Sequence, residues 1–275
     1  MSDIPCRQRT FPSKINITTY YPHLLRWLKH LIERIGTQNA LLVWEIAFQN
    51  YDDMLITNIL SSGWKQVESN SSKSEDIILK IIHEFFDQKL PDLTWNEIRD
   101  IIDNTPPIYQ IKHLLSDTTW EKEISAYDAL LLLFDGQACL AEATIDKFGK
   151  QGELIVYDLM RESRLAAGQG QTGSIEEFIE GFTSPPLGRN LYSAASKFDV
   201  VHKTDTEAIV YMKECEWARY FRDYHPDVGY MIACSTDEVA FRAFNSNLRM
   251  QRTETLMEGA DKCDFRVYSS QDNNL

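Results

Sequence analysis

Much of what marks familiar classes of protein is missing from this sequence. Its 275 residues carry only 12 glycines and 9 prolines, too few for a repetitive or linker-like chain. Positive charge is scarce: 28 Lys and Arg stand against 41 Asp and Glu, a net charge of −13. Phosphate backbones and anionic membrane surfaces are held by clustered Lys and Arg, so neither nucleic acid nor membrane is expected as a partner. The densest basic group, Arg26, Lys29 and Arg34, lies on one amphipathic helix and reads as a solvated face. The longest apolar stretch, Ala129–Phe134, is far short of the ~20 residues that cross a bilayer. Met1–Lys14 is polar and shows no signal-peptide pattern. The 5 cysteines form no C-x-x-C pair and suggest no disulfide framework. G-x-S-x-G, P-loop and H-E-x-x-H motifs are absent too. The expectation is a cytoplasmic protein with free thiols and no cofactor.

What is present is an ordinary globular balance, 43% hydrophobic and 25% charged. Apolar residues recur at helical spacing from Pro22 to Ile35, ending before Gly36, and again from Gln38 to Leu60. A polar loop is expected over Glu68–Glu75 and a further helix over Asp76–Gln88. Thr94 and Glu97 have the spacing of a capping box ahead of Ile98, Ile101 and Ile102. Long helices are expected over Tyr127–Phe148, whose run Leu130–Phe134 is apolar all round, and over Glu153–Ala167. Residues 20 to 167 are therefore expected to be almost entirely helical, with strands confined to the region after 195.

Period 2 appears late, in Phe198–His202 and Ala208–Met212, and in a second hairpin of Leu248–Met257 and Cys263–Tyr268. Helices first and then four strands with inserted helices make an α+β fold: a helical N-terminal half packed on a small four-stranded antiparallel sheet with helices. The division falls into a helical region, 1–120, and an α+β region, 121–275, able to form one compact unit.

Cys215, Cys234 and Cys263 crowd the last third of the chain, and chemistry is expected there. Two readings of Cys234 stand open. A helix opening just after it, with Ser235 and Glu238 as capping box, would put the thiol beside a helix N-terminus that favours the thiolate. One helix running from Pro226 to Phe244 would make Cys234 a packing residue. Asp237, three residues on, shares its face on a helical reading. Cys215 opens a helix, but Glu214 and Glu216 oppose thiolate formation. Cys263, Phe265 and Val267 alternate as an inward-facing strand. His202 with the three cysteines is the set a metal would draw on, but the spacings match no ligand pattern and no metal is expected. His83 and His113 have no partner at a telling spacing, and Gly168–Gly173 follows a helix rather than a strand, so the dinucleotide-loop context fails.

The order Cys215, Cys234 to Asp237, Phe244 and Asn245, Leu248, Arg252 to Leu256, and Gly259 through Cys263, Asp264 and Phe265 resembles the L-2-amino-thiazoline-4-carboxylic acid hydrolase family, most closely over residues 198–268. Two positions depart from the family pattern: Glu216 stands where proline often follows the first cysteine, and Ala260 separates Gly259 from Asp261. The resemblance implies a hydrolase that adds water at the C–N bond of a cyclic amidine, 2-amino-thiazoline-4-carboxylate, toward N-carbamoyl-cysteine. It implies catalytic roles for Cys234 as nucleophile, Asp237 as acid and base, and Cys215. It implies substrate contacts from Arg252, which would take the carboxylate, and from Thr253, Thr255, Asn245, Cys263 and Asp264. Related readings are a cyclase or isomerase of secondary metabolism on a larger apolar substrate, and a small-molecule sensor or scaffold without catalysis.

Overall fold

The structure, a computed structural model, describes residues 5–15, 17–49, 51, 58–60, 63–69, 80–84, 86, 93–105, 118–168, 173–177, 179 and 191–270. It mixes helices with a three-stranded sheet and a four-stranded antiparallel sheet, an α+β fold. The chain divides into two compact units: Met1–Phe11, Ser125–Leu130 and Val156–Leu275 form one, and Pro12–Ile124 with Leu131–Ile155 the other.

In the second of these units the expectation of an almost wholly helical chain fails. Strands β1 (Thr10–Ile15), β2 (Lys65–Ser69) and β3 (Thr118–Ser125) form a sheet in the order β1-β3-β2. β2 and β3 run antiparallel, Lys65 opposite Glu121 and Ser69 opposite Thr118, with a register shift between Gln66 and Glu68. Charged residues at Lys65, Glu68, Glu121, Lys122 and Glu123 break the apolar alternation that marks a strand, and the paired segments are distant in sequence. Glu68 and Ser69 accordingly belong to β2 rather than to a loop.

The helices follow their patterns more closely. α1 (Ile17–Ile35) and α2 (Thr37–Phe48) meet at Gly36, and α3 (Trp95–Asp103) carries the expected capping box. Its Glu97 N–H donates to Thr94 Oγ1 at 3.2 Å while the Thr94 N–H donates to Glu97 Oε2 at 2.6 Å. α4 (Ala126–Phe148) and α5 (Lys150–Gly168) match the two long periodic segments, and Leu130, Leu131 and Leu132 are buried. Two buried indoles of this unit are paired across elements: Trp27 Nε1 donates to Gln137 Oε1 at 3.2 Å and Trp44 Nε1 to Thr105 Oγ1 at 3.0 Å. Residues 52–57, most of the expected helix 76–88, His113 and residues 169–172 of the glycine-rich segment lie outside the described residues.

The other unit holds the second sheet. After α6 (Leu191–Ala195), β4 (Ser196–Lys203) and β5 (Glu207–Cys215) pair antiparallel, and α7 (Glu216–Tyr224) follows directly. Next come a π-helical turn (Tyr230–Cys234), α8 (Asp237–Phe244), β6 (Leu248–Gln251) and β7 (Cys263–Ser269). The sheet order is β4-β5-β7-β6. Its inner face buries Ala208, Val210, Leu248, Cys263, Phe265 and Val267 against Ile175, Ile179 and Phe241. Period 2 in β5 and β7 produces this face, because alternate side chains point to one side of a strand.

Two late segments differ from expectation. The strand expected over Leu248–Met257 stops at Gln251, so Arg252, Glu254 and Leu256 share no strand face. Beyond it the Asp264 carboxylate accepts from the Thr253 and Glu254 N–H groups, both at 2.8 Å, and draws the chain out of the ladder. The helix expected from Pro226 to Phe244 is two pieces joined through the π-helical turn, where Ser235 N–H reaches back to Tyr230 O at 2.8 Å.

Candidate active site

The junction of β5 and α7 places Cys215. It is the N-cap of α7, and its Sγ accepts from the Ala218 N–H at 3.4 Å, the work usually done by a Ser or Thr oxygen. Glu216, standing where the family often has proline, takes the first helical position. It pairs with Arg219 at 3.2 Å, and an acidic side chain suits that position as proline does.

The π-helical turn places Cys234. Its extra residue leaves the carbonyls of Ala233 and Cys234 turned to side-chain donors: Arg164 Nη2 reaches Ala233 O at 3.4 Å and Arg252 Nη2 reaches Cys234 O at 3.1 Å. The capping box expected of Ser235 and Glu238 does not form, because the Ser235 hydroxyl donates to Met231 O instead. Thr236 is the N-cap of α8 without a side-chain cap bond, and its buried hydroxyl has no partner among the described residues. Cys234 thus lies between the two expected placements: it closes the turn, two residues short of α8.

Arg252 is the centre of the cluster. Its Nη1 donates to Asp237 Oδ2 at 2.6 Å, and its side chain is only 6% exposed against 21% for Asp237. The guanidinium also lies 5.3 Å from the Phe265 ring centroid and 5.8 Å from that of Tyr230. One guanidinium therefore ties the backbone of Cys234 to the carboxylate of Asp237. A buried guanidinium needs a counter-charge, and Asp237 supplies it from within the chain, so burial of Arg252 does not imply an anionic substrate.

The remaining expected contact residues are joined to the protein's own groups. Thr253 Oγ1 donates to Asp264 Oδ2 at 2.5 Å, and Thr255 Oγ1 accepts from the Glu258 N–H at 3.1 Å. Cys263 Sγ accepts from the Leu256 N–H at 3.2 Å. Asn245 donates to Gly173 O at 2.8 Å and accepts from the Asn247 N–H at 2.9 Å. Ala260, the second departure, closes the same loop with an N–H to Thr255 O at 3.0 Å. Sequence reasoning missed Arg164 and Tyr230, which no short motif marks, and the π-helical turn was not legible either. His202 is exposed on β4, and among the described residues it does not gather with the three cysteines into a ligand set.

Electrostatically, the three thiols, Asp237 and Arg252 act on one another. Burial pushes the Cys215 thiol up to about 12, against the Ala218 N–H that favours the thiolate. Burial, reinforced by Asp237, raises Cys234, and Arg252 opposes the shift; burial also raises Cys263. Burial pushes the Asp237 carboxyl above the ordinary carboxylate range, while Arg252 and Arg164 work against that push. Burial thus works against the thiolate at all three cysteines, including Cys234, which one of the two readings sets beside a helix N-terminus.

A pH dependence follows. Each thiol titrates higher in the folded chain than in the unfolded one, so its contribution is intact below pH ~9 and is lost as pH rises toward the folded value. Urea unfolding followed from pH ~8 to ~11 is expected to show falling stability. Cys215→Ser, which keeps an N-cap oxygen and removes the titration, is expected to flatten part of that fall. An unchanged slope in that variant would show that Cys215 ionises alike in both states.

The fold and the cluster define an α+β protein in which one guanidinium, from the loop after β6, joins the backbone of a cysteine in a π-helical turn to a carboxylate on the short helix that follows. The chain belongs to the L-2-amino-thiazoline-4-carboxylic acid hydrolase family, whose model matches residues 130–267. That membership supports a hydrolase-type enzyme. No curated protein and no solved structure matches the chain significantly. Among the described residues no helix is long and apolar enough to cross a membrane.

Proposed function

We propose that this protein hydrolyses a cyclic amidine of the 2-amino-thiazoline-4-carboxylate class, with Cys234 as nucleophile and Asp237 as proton carrier. The observation that carries the reading is the Arg252 guanidinium, bonded at once to Asp237 Oδ2 at 2.6 Å and to Cys234 O at 3.1 Å. It fixes a thiol-bearing residue and a carboxylate on one rigid fork. Family membership supplies the substrate class.

The chemistry balances as follows. Cys234 Sγ bonds to the amidine carbon, and the bond from that carbon to the ring sulfur breaks. The thiol proton passes through Asp237 to the departing sulfur. Water then adds to the same carbon, Cys234 leaves as a thiol, and the product is N-carbamoyl-cysteine. Addition occurs at the C=N carbon, but this product requires cleavage of the C–S bond. Cleavage of the ring C–N bond would instead give S-carbamoyl-cysteine. A raised carboxyl pKa suits Asp237 to carrying a proton, because such a group takes one up more readily than an ordinary carboxylate.

The test is to incubate the purified protein with 2-amino-thiazoline-4-carboxylate and to follow products and intact protein by mass spectrometry. N-carbamoyl-cysteine is expected, with an acid-trapped adduct on Cys234 equal to one whole substrate, absent in Cys234→Ala. Full activity in Cys234→Ala would replace the thiol by direct attack of water. No ring opening would remove this substrate class. The cyclase or isomerase reading rests on resemblance alone.

A further inference from the structure

We propose that Asp264 is a positioning residue for the reaction. Its carboxylate roots the loop that follows β6, so that Arg252 meets Asp237 and Cys234 O, and it acts through Arg252 instead of by touching substrate. The inference rests on the hydrolase reading above and reassigns a residue for which the family resemblance implies a substrate contact.

Both oxygens of this carboxylate are engaged within the chain. Oδ1 accepts from the Thr253 and Glu254 N–H groups, both at 2.8 Å, and Oδ2 accepts from the Thr253 hydroxyl at 2.5 Å. Three of the about four acceptor positions of a carboxylate are thereby filled. Burial by itself would raise the Asp264 carboxyl, but the Thr253 and Glu254 donors outweigh it and hold the group below the ordinary carboxylate range. The charged form is the one these donors favour, and bonds to a charged acceptor are about twice as strong as neutral ones.

The place of those bonds gives them their effect on the site. β6 ends at Gln251, so Arg252 is the first residue outside the ladder. The Thr253 N–H belongs to the peptide bond that joins Arg252 to Thr253, and it is held by Asp264, which stands on β7 opposite Tyr211 of β5. A side chain on a paired strand thus fixes the backbone directly after Arg252. Other bonds shape the loop between residues 254 and 263. Lys262 pairs with Glu254, Ala260 N–H donates to Thr255 O at 3.0 Å, and Cys263 Sγ accepts from the Leu256 N–H at 3.2 Å. From its fixed root Arg252 reaches Asp237 Oδ2 at 2.6 Å and Cys234 O at 3.1 Å. Both bonds are short enough that a displacement of about 1 Å at the root would break them.

Two measurements on the full chain test this, with Asp264→Asn, which keeps an Oδ1 acceptor for the two N–H groups, and Asp264→Ala, which keeps none. The first is a double-mutant cycle with Asp237→Asn, read by urea unfolding. Asp237→Asn removes the anion that Arg252 meets, and with the root loose that anion has less to hold. The fold-change that Asp237→Asn causes in the unfolding constant is expected to be about 10-fold smaller in the Asp264→Ala background and unchanged in Asp264→Asn. Equal fold-changes in all three backgrounds would overturn the inference. Should Asp264→Ala not fold, Asp264→Glu, which keeps the charge and moves it by one methylene, takes its place in the same cycle. The second measurement is turnover of 2-amino-thiazoline-4-carboxylate. Asp264→Ala is expected to lower kcat about 10- to 100-fold with little change in KM, and Asp264→Asn to restore most of it. A KM raised alike in both variants with kcat retained would make Asp264 a substrate contact and sink the proposal. A wild type that turns over no amidine would remove the hydrolase reading, while the coupling would still assign Asp264 to the placing of Arg252.

Discussion

Asp237→Asn is expected to lose both turnover and stability. If Asp237 carries the proton between Cys234 and the leaving sulfur, its amide falls short by about two to four orders of magnitude in kcat, the usual worth of a positioned acid or base. A purely catalytic Asp237 would be replaced with little change in thermal stability. The ion pair alters that. Asparagine would leave the Arg252 guanidinium, 6% exposed, without its anion. Breaking a buried pair by removing one partner costs about 3–5 kcal/mol, because the remaining charge stays desolvated. The second variant, Asp237→Asn with Arg252→Met, removes both charges and is expected to recover most of the stability and none of the turnover. Urea unfolding and steady-state kinetics on the two proteins separate the roles. Unchanged stability in Asp237→Asn would mean that the pair does not hold this loop. Restored activity in the double variant would take Asp237 out of the chemistry.

Gly152→Ala is expected to be strongly destabilising. A Cβ at this position would lie 2.4 Å from Thr144 O and 2.8 Å from Ile145 Cα, where α5 begins against the end of α4. Both neighbours are backbone, so no side chain can swing aside and the helices must separate. Alanine ordinarily favours a helix over glycine by about 1 kcal/mol, and here that gain is outweighed by overpacking of about 3 kcal/mol. Gly149, in the same connection, is the control. Its φ of 56° is left-handed, but a Cβ there meets nothing within 4 Å. Gly149→Ala is expected to cost only the conformational strain, about 1–2 kcal/mol. The expected order in thermal midpoint is wild type, Gly149→Ala, Gly152→Ala. A Gly152→Ala protein as stable as the wild type would show that the two helices do not approach this closely.

How far the site could be read in the sequence depends on which residues are followed. Cys215 is legible as the residue opening a helix, because a strand pattern ends and a helical one begins around it, and its Sγ does cap α7. Cys263, Phe265 and Val267 are legible as a core face from their alternation, and all three are buried. Arg252 is quotable as part of a motif, but its partner is not. Whether a buried arginine faces a substrate or an internal carboxylate depends on where a loop fifteen residues away in sequence returns, and the three hydrogen bonds to Asp264 set that return. Arg164 stands in the regular periodicity of α5 with nothing in its neighbourhood to mark it.

The sequence by itself determined the class of this protein: the α+β composition, the long helices of its middle section, the late four-stranded sheet and the family to which it belongs. Those features rest on period, capping and turn residues, which act between near neighbours along the chain. The tertiary structure alone decided the rest. The sheet β1-β3-β2 arises from polar strands far apart in sequence, whose backbone groups satisfy one another whatever their side chains. The carbonyls that the π-helical turn exposes are taken up by arginines from α5 and from the loop after β6, both remote in sequence. The high thiol pKa values arise from burial, which depends on what closes over a residue and not on its neighbours in the chain.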